Sequence, residues 1–224
     1  MADVVGQGKV MGPDGPLGAM LGSGSLSSLI LWGPPGVGKT TIARLLARET
    51  DLAFVQISAI FSGVPELRKV FDSARLRRQQ GRGTLLFVDE IHRFNKAQQD
   101  GFLPFVESGL FTFIGATTEN PSFEVNSALL SRASVYVLKS LDEAEMGTLF
   151  DRARERALAD LDFDDEARSR LIGLADGDAR RLLNLLEQVR TAAHAAGKAV
   201  VDGAFIEATM AQNLRRFDKG GDAF

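Results

Sequence analysis

Eight consecutive residues, Gly33-Pro34-Pro35-Gly36-Val37-Gly38-Lys39-Thr40, restrict this chain more than any other stretch. They fit G-x-x-x-x-G-K-[ST], the phosphate-binding P-loop. The loop follows Leu29-Ile30-Leu31-Trp32, an apolar run that reads as a buried strand, and precedes Thr41–Ala47, which reads as a helix. Strand, glycine loop and helix in that order confirm the motif and commit this region to an α/β architecture. The glycines let the backbone close into a nest whose N–H groups converge on phosphate oxygens, and the helix adds partial positive charge at its N-terminus. Lys39 supplies an ammonium for the β- and γ-phosphates, and Thr40 a hydroxyl for Mg²⁺. The nucleotide-contact candidates are therefore Gly33, Pro34, Pro35, Gly36, Val37, Gly38, Lys39, Thr40 and Thr41. The loop alone specifies a nucleoside triphosphate and leaves open what is done with it.

The chain has 224 residues, 45% hydrophobic and 25% charged, enough for one α/β domain and a small second one. No apolar stretch approaches a membrane span, and the N-terminus lacks the basic and apolar regions of a signal peptide. With no cysteine, a disulfide framework and a thiolate zinc site are excluded. The default expectation is a soluble cytoplasmic protein without membrane partners. A net charge of −3 does not exclude nucleic acid, because local patches matter more than the sum. Arg68, Lys69, Arg75, Arg77, Arg78 and Arg82 face only Glu66 and Asp72 in one run. The run reads either as a solvated helix face or as a phosphate-contacting surface, with Arg75, Arg77 and Arg78 as the DNA candidates.

Residues 1–28 are glycine-rich, with a short helix expected around Leu17–Leu21. Strands are then expected at Leu29–Trp32, Ala53–Ile57, Thr84–Asp89, Phe111–Ala116 and Val135–Leu138, with helices over Pro65–Gln79 and Lys96–Glu107. That alternation predicts a parallel five-stranded sheet covered on both faces. After Lys139 four helical segments follow, Asp142–Leu158, Asp164–Ala175, Asp178–Ala196 and Asp202–Gln212, with aspartates near the N-caps. The expected division is an α/β core over 1–140, an all-α lid over 141–213 and a linker over 214–224.

Leu85-Leu86-Phe87-Val88-Asp89-Glu90 is an apolar strand ending in two acids, which would be costly to bury unpaired. Following a P-loop, it fits the Walker B role: Asp89 for the Mg²⁺ shell, Glu90 to polarise the attacking water. Phe113-Ile114-Gly115-Ala116-Thr117-Thr118 is a further strand ending in hydroxyls. Beside the P-loop strand, Thr118 can orient that water; Thr117 is the competing residue, and ordinary turn chemistry is the alternative. Arg132 follows a short expected helix, and Arg180 begins a helix of the second domain. Arginine suits transition-state charge, being planar and always charged, yet each also reads as a surface arginine. His92 reads as a local helix-entry residue.

Taken together, these residues resemble an AAA+ ATPase in motif order, over nearly the whole chain. Asp3-Val4-Val5-Gly6-Gln7 resembles the segment that lines the adenine pocket in that family, which makes Val4 and Val5 binding candidates. Within AAA+, Ser58–Val64, Asp89–Lys96 and Phe113–Asn126 are similar to the replication-associated recombination protein A family, which includes the Werner-helicase-interacting ATPases. The resemblance implies that Thr118 is sensor 1, Arg132 a finger acting in trans and Arg180 sensor 2. It also implies a DNA-dependent ATPase at stalled forks, using ATP/ADP and Mg, with single-stranded-DNA-binding protein as partner. A homotetramer held by a further C-terminal domain is implied, so that 224 residues alone would be mainly monomeric and weakly active. Three rivals share parts of the pattern: a RuvB-type branch-migration motor, which needs a β-hairpin before sensor 1; a clamp-loader subunit; and a slowly hydrolysing, nucleotide-gated DNA scaffold.

Overall fold

The computed structural model describes residues 4–220, with side chains throughout except at 64 and 212–220. The chain divides between Lys139 and Ser140 into two compact units.

The first unit is built on five strands: β1 Leu29–Trp32, β2 Ala53–Ser58, β3 Thr84–Asp89, β4 Thr112–Thr117 and β5 Ser134–Val137. They form one parallel sheet in the order β2-β3-β4-β1-β5. The inner strands are apolar along their length because both faces are covered; Leu29, Ile30, Leu31 and Leu85 to Val88 are fully buried. Register aligns the strand ends. Trp32 pairs with Thr117 and with Val137, and Ser58 pairs with Asp89. The residues after β1, β3 and β4 therefore leave the sheet at one common edge, where ligands of open α/β sheets bind.

The helices of this unit are α1 Gly8–Met11, α2 Pro16–Gly22, α3 Lys39–Glu49, α4 Val64–Gln79, α5 Lys96–Asp100, α6 Leu103–Glu107, α7 Pro121–Glu124 and α8 Ser127–Leu130. Helix α3 buries Ile42, Ala43, Leu45, Leu46 and Ala47 on one face, which fixes the glycine loop preceding it. Full burial of a side chain the size of Ile42 or Leu46 stabilises by about 1.5–3 kcal/mol. A phenylalanine cluster clamps α4 and α6 to the sheet: Phe71 lies 4.2 Å from Phe105 and meets Phe102 edge-on at 5.9 Å between centroids. The expected helix over Lys96–Glu107 is split at Gly101-Phe102. Pro104 causes this, since it has no N–H to donate to the carbonyl of Asp100.

The second unit contains α9 Glu143–Ala157, α10 Asp165–Ala175, α11 Ala179–Ala195 and α12 Gly203–Gly220. Asp142, Asp164, Asp178 and Asp202 accept from the N–H groups of Glu145, Ala167, Arg181 and Phe205. Each such cap contributes about 1 kcal/mol. Met146, Phe150, Leu171, Leu182, Leu186, Val189 and Ile206 form the interior.

Two expectations are corrected here. The lid is not purely helical: β6 Asp162–Phe163 and β7 Val200–Val201 pair in parallel, too short a feature for period-two patterning to reveal. The expected linker is helical as far as Gly220, because no glycine or proline interrupts 204–219. Residues 221–224 of that linker lie outside the described residues.

Candidate nucleotide site

The P-loop is held from both sides. Gly33 donates its N–H to the carbonyl of Thr117 at 3.2 Å, and Leu138 donates to Trp32 at 2.7 Å. A Cβ at Gly33 would stand 2.4 Å from the Leu138 carbonyl oxygen, so only glycine fits between β1 and β5. Gly36 and Gly38 take φ of 73° and 93°, left-handed values that turn successive N–H groups inward. Gly38 is also the N-cap of α3 and gives no side-chain cap, so the first N–H groups of that helix face the loop's concavity.

Lys39 is only 8% exposed. Its ammonium donates to the carbonyls of Gly33 and Pro34, each at 2.7 Å. A buried ammonium beside an uncapped helix start is a donor set for a polyanion, and it fits a triphosphate. Thr40 is half-buried and Thr41 exposed in the first turn of α3. Thr40 and Asp89, half-buried at the end of β3, carry oxygens of the hard kind that would suit Mg²⁺. Val4 and Val5 are half-buried. Gln7 anchors their segment: its Nε2 donates to Lys139 at 2.9 Å, just past β5 and at the edge that carries the P-loop. Asp3 lies outside the described residues.

Glu90 adopts φ 52° and ψ 48°, left-handed for a non-glycine residue, and a 3₁₀ turn over Ile91–Arg93 follows. Such backbone costs on the order of 1–2 kcal/mol and marks functional sites more often than others. The Glu90 Oε2 atom is buried without a hydrogen bond and stands 3.3 Å from His92 Nδ1. On its other side, His92 Nδ1 lies 3.0 Å from Thr117 Oγ1. Sequence reasoning gave His92 no part in the site. The signal available was its position two residues past Glu90, which a tight turn folds back on the acid.

Thr117 is fully buried and hydrogen-bonded to Glu119, whereas Thr118 is half-buried and follows the residue paired with Trp32. β4 ends at Thr117, so Thr118 is the first residue of the turn that leaves the sheet.

The structure does not bring Arg132 to this edge. Arg132 lies two residues before Ser134, which pairs with Leu29 at the start of β1. It therefore stands at the opposite sheet edge from Gly33. A chain of capped turns holds it there: Asn120 accepts from Ser122, Asn126 from Leu129, and buried Gln99 accepts from Asn126 N–H. Arg180 is exposed in the first turn of α11, in the second unit. Arg75 pairs with Asp72 and lies over the Phe105 ring, and Arg78 donates to the Ser108 carbonyl. Arg77 is half-buried, with Nη1 lacking a partner. The three arginines expected to act together thus split between the α6 side of α4 and its inner flank, since residues 75 and 78 share a face and 77 does not.

A P-loop after β1, an acid pair after β3 and a hydroxyl-bearing strand, β4, between them define a P-loop nucleoside triphosphatase. Residues 29–141 match the ATPase family associated with various cellular activities (AAA), and residues 157–224 match an AAA C-terminal domain. Replication-associated recombination protein A of Coxiella burnetii is 48% identical over 230 residues, covering 100% of this chain and 52% of the relative. The Escherichia coli K12 protein of that description is 46% identical with the same coverages. ATPase WRNIP1 of Dictyostelium discoideum is 40% identical, with 100% of this chain and 28% of the relative covered. The Thermotoga maritima RuvB Holliday junction branch migration motor superposes with a TM-score of 0.77 at 27% identity, over 92% of this chain and 69% of that one. The chain belongs to this AAA family of ATPases. It spans about half the length of those two curated relatives. No helix among the described residues is long and apolar enough to cross a membrane.

Proposed function

We propose that this chain is the ATPase core and lid of a DNA-dependent ATPase that maintains replication forks and acts in recombination. The observation that carries the reading is the edge shared by the Lys39 nest and the Glu90 turn. In this reading the nest N–H groups and Lys39 bind the β- and γ-phosphates of ATP, and Val4 and Val5 border the base. Thr40 and Asp89 hold Mg²⁺, which would neutralise charge developing on the phosphates. Glu90 polarises the attacking water and Thr118 orients it.

Arg132 stands at the far end of β1 from Gly33, so it serves a neighbouring subunit's nucleotide. Arg180 acts from the lid. Exposed Arg75 and Arg78 contact DNA phosphates, with Arg77 as a weaker contributor. The full-length protein works as a homotetramer in the cytosol, at the nucleoid, with single-stranded-DNA-binding protein; the 224-residue chain by itself is mainly monomeric.

The names of the relatives support the replication and recombination context. Between β3 and β4 the described residues form only short helices, without the hairpin that a RuvB-type motor needs. The test is steady-state ATP hydrolysis by full-length protein with and without forked DNA. Stimulation by the fork, abolished by Glu90→Gln, supports the reading; turnover indifferent to both would overturn it.

A further inference from the structure

Glu90 and the end of strand β4 share one imidazole nitrogen. His92 Nδ1 is 3.3 Å from Glu90 Oε2 and 3.0 Å from Thr117 Oγ1, and the imidazole is nearly buried, at 9% exposure. The surrounding groups decide which nitrogen carries the hydrogen. The Thr117 hydroxyl lies 3.2 Å from the Glu119 carbonyl, which can only accept, and 3.0 Å from the Glu119 N–H, which can only donate. With its single hydrogen on that carbonyl, Thr117 Oγ1 remains an acceptor toward His92. A carboxylate oxygen, as at Glu90, is likewise an acceptor. A lone pair on Nδ1 would therefore face a carboxylate oxygen and a hydroxyl with no hydrogen left to give. With Nδ1 as the donor, its one hydrogen can go to either acceptor.

We infer that His92 is a positioning residue for Glu90: its Nδ1–H holds the Glu90 carboxylate in place and ties it to Thr117 at the end of β4. The inference rests on the proposed role of Glu90 as the group that polarises water. In this structure Thr117 Oγ1 is the nearer partner of Nδ1, and Glu90 Oε2, buried and without a hydrogen bond, is the second acceptor within reach. A small rotation of the imidazole moves the bond from one to the other. Because Thr117 directly precedes Thr118, a shift at the end of β4 changes how firmly Glu90 is held. His92 then links the strand that reads the γ-phosphate to the acid that acts on it.

Two measurements test this. The chain has two histidines, His92 and His194, so His194→Gln assigns the imidazole ¹⁵N signals without ambiguity. The neutral Nδ1–H tautomer is expected at His92, and the Nε2–H tautomer would overturn the inference without need of turnover.

The second measurement is ATP turnover by the full-length protein. Asparagine places an amide where Nδ1–H sits, and glutamine places one near Nε2. His92→Ala and His92→Gln are expected to lower kcat by about tenfold or more with nucleotide Kd unchanged, and His92→Asn to recover most of the loss. Equal activity of the Asn and Gln variants, or loss of nucleotide affinity in step with kcat, would show a merely structural role and overturn the inference. If Glu90→Gln turns over at the wild-type rate, the role of Glu90 fails instead, and the tautomer measurement still reports the contact.

Discussion

Arg132 Nη2 lies 2.6 Å from Glu107 Oε1, so the proposed trans-acting arginine is held within its own chain by an acid at the end of α6. The same guanidinium donates to the Ala128 carbonyl and the Ser131 hydroxyl. Both partners of the ion pair are well exposed, so it contributes little stability. Its effect is on where the guanidinium points. Arg132→Ala is expected to lower kcat of the full-length protein by about a thousandfold, with nucleotide affinity kept. Mixing it with Lys39→Ala subunits is expected to restore part of the activity, because each supplies what the other lacks. Absence of complementation, with mixed oligomers shown to form, would refute action in trans.

Gly33 is a packing constraint as well as a loop residue. Its absent Cβ would meet the Leu138 carbonyl at 2.4 Å, and that atom is backbone and cannot rotate away. Gly33→Ala is expected to destabilise the first unit by about 1–3 kcal/mol in a denaturant titration. An unchanged midpoint would show that β5 is free to shift.

The arginines of α4 divide by environment. Arg75→Ala and Arg78→Ala are each expected to weaken DNA binding and to reduce the slope of log affinity against log salt by about one. Arg77 carries a buried guanidinium nitrogen, so Arg77→Ala should alter the thermal midpoint more than the salt slope. Slopes unchanged in all three would remove α4 from the DNA surface.

In the second unit, His194 Nε2 contacts Asp160 Oδ2 at 2.6 Å; that hydrogen bond first, and a backbone hydrogen bond second, hold the carboxyl below its usual range, with the charge of His194 a smaller cause. A depressed folded pKa adds stability above the unfolded pKa, about 3.9, which is lost as pH falls through the folded value. His194→Ala is therefore expected to lower the thermal midpoint slightly at neutral pH and to converge with the parent in acid. Since the pair is exposed, salt should narrow the gap. A gap that widens in acid would contradict this sign.

The fold was legible where periodicity and caps are local. The five strands fall within a residue or two of their expected places because their apolar runs are continuous, and the four lid helices start where an aspartate caps them. The P-loop was legible because its chemistry is contiguous. His92 was not, since its contact with Thr117 spans 25 positions and depends on the left-handed turn at Glu90. The split among Arg75, Arg77 and Arg78 was also hidden. It depends on how α4 is rotated against α6, which the phenylalanine cluster sets and a charge count does not.

The backbone at Glu90 carries one further consequence. A glycine there would relax the left-handed turn, and an asparagine would tolerate it better than an acid with a longer side chain. The chain instead keeps glutamate where the local conformation disfavours it. Selection for thermal stability alone would thus move this position away from glutamate, and stability gained there would come with loss of the acid at the sheet edge.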